Sequence, residues 1–144
     1  MEIKFTFGTP VKTVGTISMN KMINRLLTSF QPAAVKKNSF FINEIPHDII
    51  VHVNKNMLAA VISELLTSVV HKTKNSCVHI SAKRYSNIIL FRLKDSHVDG
   101  NMFDYNWRTV NPLVERLGGC ITINEAEKKS SSLTFSFRCL SNVA

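Results

Sequence analysis

The chain has 144 residues, 44% apolar and 19% charged, and its 18 basic and 10 acidic side chains leave a formal charge of +8. That balance excludes a disordered or fibrous chain and fits a single domain over 1–144 with a core of its own. No apolar run approaches the about 20 residues of a membrane span, and "MEIKFTFG" lacks the basic-then-apolar order of a secretory signal, so a cytoplasmic, non-membrane protein is expected.

Residues 2–7 alternate, with Ile3, Phe5 and Phe7 to one side, which makes 1–10 an extra N-terminal strand. Gly8-Thr9-Pro10 breaks it, and a second short strand fits Val11 to Ile17. Ser18 is a natural N-cap for a helix whose apolar positions Met19, Met22, Ile23, Leu26, Leu27 and Phe30 recur at helical spacing, with Pro32 marking its end. "NSFFINEIP" and "DIIVHV" predict two strands joined by a turn at Pro46-His47-Asp48. In the second, Ile49, Val51 and Val53 share one face and Ile50 and His52 the other.

Asn54 can cap the next helix, whose stripe Leu58, Val61, Ile62, Leu65, Leu66 and Val69 must lie on a sheet. Its other flank carries Glu64, Ser68, His71 and Lys72. "CVHISAKRY" and "NIILFRLKD" predict an antiparallel pair turned at Ser86-Asn87, and 96–106 reads as a loop. "WRTVNPLVERL" suggests a short helix that Pro112 confines to the part after Asn111, stopped at Gly118-Gly119. "CITINEA" and "LTFSFRCL" close the chain as two strands around a polar loop. The alternation of strands and helices predicts an α/β two-layer sandwich, with helices on one face of a mixed, mostly antiparallel sheet.

Cys77, Cys120 and Cys139 are far apart, odd in number and in no CxxC pair, which predicts reduced thiols acting as small apolar groups. The basic pairs Lys36-Lys37, Lys72 with Lys74, Lys83-Arg84 and Lys128-Lys129 are dispersed along the sequence. A nucleic-acid interface needs a clustered basic face, so nucleic acid is not the expected partner. The histidines and cysteines lack metal-ligand spacing, and no GxSxG, P-loop or GxGxxG is present.

Five segments in one order carry a family resemblance. "INEIP" precedes "VNKNMLAAVISELLTSVVHKT"; "IILFRLKDS" ends in Asp95; "LVERLGGCITI" runs from helix through Gly-Gly to strand; and "LTFSF" comes last. This arrangement, over about residues 11–140, resembles the ATP-binding domain of sensor histidine kinases, the Bergerat fold shared with gyrase and MutL. The resemblance places the N-box on the long helix and the G1 aspartate, which receives the adenine amino group, at Asp95. It implies a relic nucleotide pocket at Glu64, Ser68, His71 and Asp95.

The motifs depart from the family pattern. Its N-box offers two asparagines four residues apart, the second holding Mg²⁺; here the positions are Glu64 and Ser68. A helical period puts both on one flank, so the layout survives while the ligands change. Glutamate at the first position resembles gyrase and MutL, where it activates water. A serine hydroxyl can bind Mg²⁺, as in P-loops, and the competing expectation is that both residues are merely solvated. His71 stands where the family often has a phosphate-contacting lysine, which imidazole replaces weakly.

Beyond Asp95 the family's DxGxG has become Asp95-Ser96-His97-Val98-Asp99. Glycine serves there because backbone must come close to the base or take positive φ. The glycine-rich G2 lid, which supplies bare N–H groups to phosphates, is missing: no glycine lies between Asn101 and Leu117. Residues 96–106 are thus a degenerate lid loop, and Met102, Phe103, Tyr105 and Trp107 are expected to plug the groove. About 18 residues precede the first helix, too few for the family's phosphoacceptor hairpin, and none of His47, His52, His71, His79 or His97 sits in an H-E-x-x-x-P setting.

Three functions follow from this reading. The leading one is a catalytically inactive histidine-kinase-like domain that binds a signalling protein: a kinase, a response regulator or a sigma-factor-like partner. It needs no cofactor and leaves pairing with a second copy open. The alternative is an ATP- and Mg²⁺-dependent kinase of the compact anti-sigma-factor-kinase kind, and the second alternative is a basic nucleic-acid-binding module.

Overall fold

The computed structural model describes residues 14–95, 110–124 and 131–139. The expected strand at 2–7, the lid loop with its aromatic plug and residues 125–130 of the expected polar loop lie outside them, whereas Ser131 and Ser132, expected in that loop, begin a strand.

Strand β1 (Val14–Ser18) leads directly into helix α1 (Met19–Lys36). As expected, Ser18 caps it: its hydroxyl accepts from the Lys21 N–H at 3.3 Å. Pro32, however, lies inside α1 and does not end it. The ring removes only the N–H that would bond the Thr28 carbonyl, and the turn beyond is held from outside. Ala34 is buried. Gln31 donates from Nε2 to the Phe41 carbonyl (3.2 Å) and accepts from the Phe41 N–H at Oε1 (2.8 Å). The N–H groups of Lys37, Asn38 and Ser39 then close on the carbonyls of Ala34 and Val35, with Asn38 at φ 58°.

Helix α2 (Lys55–Lys72) is capped by Asn54, whose Oδ1 accepts from the Met57 N–H at 3.1 Å. Its whole apolar stripe, Leu58, Val61, Ile62, Leu65, Leu66 and Val69, is fully buried. The short helix α3 (Asn111–Arg116) starts at the Pro112 turn and stops at Gly118, where φ is +73°.

The strands form two sheets. Strands β2 (Phe40–Asn43), β4 (Cys77–Tyr85), β5 (Ile88–Asp95), β6 (Cys120–Asn124) and β7 (Ser131–Arg138) make a mixed sheet in the order β2-β4-β5-β7-β6; β1 pairs antiparallel with β3 (Ile50–Asn54). The expected union of "NSFFINEIP" with "DIIVHV" is therefore corrected. β2 pairs parallel with β4, and β3 joins β1 instead. The 44–49 connection, pinned by the Asn20 Nδ2 bond to the Ile45 carbonyl (2.7 Å), carries the chain from one sheet to the other.

The inward faces obey the two-residue period: Ile49, Val51 and Val53 are buried, as are Val78, Ile80, Phe91, Leu93, Leu133, Phe135 and Phe137. All join one core with the α2 stripe. This is the expected α/β architecture with a mixed, mostly antiparallel main sheet. No disulfide joins the three thiols. Cys139 is buried and accepts from the His52 N–H (3.3 Å) and Arg84 (3.6 Å), tying the sheets together, whereas Cys120 is exposed, so not every thiol acts as an apolar filler. Among the described residues, no helix is long and apolar enough to cross a membrane.

Candidate nucleotide pocket

Glu64 and Ser68 occupy successive turns of one flank of α2, because four residues make just over one helical turn. Their environments differ. Glu64 is half-buried, but Ser68 is only 2% exposed, which corrects the expectation of two solvated residues. Ser68 lies one turn from Leu65 and two from Val61, close enough to the apolar stripe to be carried inward with it. Its hydroxyl makes no hydrogen bond among the described residues.

Asp95 is the last residue of β5 and is fully buried. The two-residue period puts it on the same side as Phe91 and Leu93, facing the helices. Opposite it in the β5–β7 ladder stands Ser131, at the same inward parity as Leu133 and Phe135. Ser131 is 3% exposed, and its hydroxyl also makes no hydrogen bond among the described residues. It was not singled out from the sequence. The available signal was parity: counting back from Phe135 in steps of two turns Ser131 inward, beside the aspartate.

His71 joins neither the Glu64–Ser68 flank nor the Asp95–Ser131 pair. It is exposed near the end of α2, in an open cleft of about 470 Å³ shared with Lys36, Lys37, Asn38, Lys72 and Lys74. Two basic pairs that the sequence shows far apart thus meet where α1 and α2 end, which corrects their reading as dispersed. Lys37 has a local task there: its ammonium donates to the carbonyls of Val70 (2.8 Å) and His71 (2.9 Å), closing the negative end of α2. His79 holds Glu44 at 2.9 Å on the outer face of the main sheet; it adjoins Val78, the ladder partner of Asp95, but the strand's alternation turns it to the opposite face.

No protein-family model matches the sequence, and no curated protein is similar to it at the sequence level. Solved structures do match. Similar ones include the Acinetobacter baumannii histidine kinase AdeS, at 12% identity and a TM-score of 0.75 over 88% of this chain and 67% of that one. The catalytic domain of histidine kinase ThkA gives 13% identity and a TM-score of 0.72 over 88% and 95%. ShkA, solved at full length with AMPPNP, gives 12% and 0.71 over 97% and 33%.

The fold is that of a histidine-kinase ATPase domain. At such identities the likeness carries the architecture alone. The structure has a long helix, α2, packed over the sheet and a strand, β5, that ends at Asp95. The elements expected from the resemblance are therefore present in their order.

Proposed function

We propose that this chain is a histidine-kinase-like ATPase domain without catalytic turnover, acting as a protein-interaction module in two-component-type signalling. The observation that carries the reading is the buried hydroxyl of Ser68, at the position that the sequence resemblance assigns to the family's Mg²⁺ ligand. Mg²⁺ requires near-octahedral oxygen coordination and dehydrates reluctantly. One short, buried, neutral oxygen on α2 is a poor substitute for a carboxamide reaching into a groove, so this donor set does not fit a metal-bridged triphosphate. The loss of both G1 glycines and of every glycine from 101 to 117 supports the same reading, since bare backbone is what cradles phosphate.

A signalling partner is supported by the crystal structure of ThkA, a protein of the same fold, in complex with the response regulator TrrA. The chain would keep the domain as a scaffold and present its 101–107 segment, rich in Met102, Phe103, Tyr105 and Trp107, to that partner.

A second reading, residual ATP binding with divergent motifs, is favoured by one observation. The hydroxyls of Ser68 and Ser131 are buried without hydrogen bonds among the described residues. Buried polar groups without partners are rare in folded proteins and cost about 1–3 kcal/mol each. A polar ligand beside Asp95 would satisfy the hydroxyl of Ser131, its ladder partner.

Thermal denaturation with ATP and Mg²⁺ separates the two. A ligand at a hundred times its dissociation constant adds about 2.7 kcal/mol of stability. The proposal expects no shift at millimolar nucleotide, and a protein recovered by pull-down that is lost when the 101–107 aromatics are replaced by serine. A nucleotide-dependent shift of several degrees establishes the second reading in its place.

A further inference from the structure

α1 and α2 lie side by side, and between their first turns runs an open groove of about 510 Å³. Its floor includes Met22 and Leu26, one helical turn apart on α1, and Ala59 on α2. Met22 and Leu26 belong to the apolar stripe that should have been buried against the core, yet both remain only half-buried. The rims are cationic: Lys21 and Arg25, again one turn apart, on the α1 side and Lys55 on the α2 side. All three are exposed, and none is ion-paired among the described residues.

The placement of these cations runs against the helices' own electrostatics. Lys21 and Lys55 fall in the first turns of α1 and α2, where no acidic residue is present. A helix N-terminus carries partial positive charge and disfavours cations. Two such ends with added lysines make a strongly positive strip around an apolar trough. Among the described residues that line it, none is acidic.

We propose that this groove is a docking site for an acidic amphipathic helix of a partner protein. Charge complementarity sets the sign: carboxylates would flank the apolar ridge and meet Lys21, Arg25 and Lys55. The trough sets the rest. Apolar side chains at i and i+4 of the incoming helix match Met22 and Leu26, as in other helix-in-groove complexes. A nucleic acid would engage the cations through its phosphates and leave this apolar floor uncovered.

The site is separate from the candidate nucleotide pocket. Nine residues, two and a half turns, divide Ala59 from Ser68, so they lie on opposite sides of α2. The inference gives the partner-binding reading a second surface and a chemistry, and its test does not depend on whether the pocket holds nucleotide.

The test is fluorescence anisotropy with a labelled synthetic helix of about four turns, leucines on one face and glutamates beside them. Saturable binding to the full chain is expected, weakening as salt rises because exposed charges are screened. The paired substitution Lys21→Glu with Arg25→Glu should weaken it about tenfold or more, since like charges then face each other. Lys83→Glu, exposed at the far end of β4, is the control and should leave it unchanged. Circular dichroism and Tm verify that each variant folds; if the paired variant does not, Leu26→Lys, which fills the trough with charge, replaces it. No saturation up to about 1 mM peptide, equal loss in the control, or tighter binding of duplex DNA through the same three cations would each overturn the proposal.

Discussion

Gly119 links α3 to β6, and replacing it with alanine is the most demanding test of the described packing. A Cβ built at this position falls 1.6 Å from the Ser136 carbonyl oxygen and 2.6 Å from its carbon, both backbone atoms of β7. To reach even 3.0 Å, the start of β6 must retreat from β7 by about 1.4 Å, far more than a packed interior absorbs without strain. Overpacking of this kind costs about 1–3 kcal/mol. Loosening the adjacent edge pairing of Cys120 with Ser136 adds about 0.5–1.5 kcal/mol per hydrogen bond lost. The sum, about 3 kcal/mol, is a large fraction of a domain's 5–15 kcal/mol. It should lower Tm by about 10 °C for a chain of this length. Gly15→Ala is the internal control: its Cβ would meet only the flexible Lys55 side chain, at 3.4 Å and beyond. Differential scanning calorimetry of the two variants should find Gly15→Ala within about 2 °C of the parent. Equal stability of Gly119→Ala and the parent, or a reversed order of the two variants, would mean that Gly119 does not sit against the Ser136 carbonyl as described.

Leu65→Ala, at a fully buried position in the centre of α2, should cost about 3–5 kcal/mol in urea unfolding; a cost under about 1 kcal/mol would mean that the stripe does not pack as described. Gln31→Ala removes both side-chain bonds to Phe41 and should cost about 1–3 kcal/mol, with faster hydrogen exchange at the Phe41 amide. Unchanged exchange there would show that the edge of β2 is held by something else. Ser68→Ala removes a buried hydroxyl without a hydrogen bond among the described residues, so the ligand-free protein should be unchanged or up to about 1 kcal/mol more stable by urea titration. A comparable loss of stability would mean that the hydroxyl has a partner.

Periodic signals and caps were legible in the sequence because they act over one or two turns. Ser18 and Asn54 cap as expected, the Leu58–Val69 stripe is buried throughout, and Gly118 stops α3. Pairing was less legible. Two strands separated by a Pro-His-Asp turn look like neighbours, but the inward demand of both Phe41 and Val51 is met by different partners in different sheets. Pro32 misled because propensity is local, whereas the last turn of α1 is secured by Gln31, Ala34 and the closing bonds beyond it.

At the candidate pocket the sequence showed which side chains share a flank but not their depth. Ser68 looked polar and therefore solvated; packing beside Leu65 decides otherwise. Ser131 was invisible because a single serine carries no pattern, and only its ladder partner Asp95 gives it meaning. The meeting of Lys36 and Lys37 with Lys72 and Lys74 could not be read at all, since it depends on α1 and α2 ending side by side.

Isothermal titration calorimetry with ATP and Mg²⁺ on the purified chain reads out whether this fold still holds a triphosphate. No saturable heat is expected at nucleotide concentrations up to about 5 mM, which corresponds to binding weaker than about −3 kcal/mol. Stoichiometric, saturable binding of one ATP in the micromolar range, abolished by Asp95→Ala in a variant that remains folded, would show that it does.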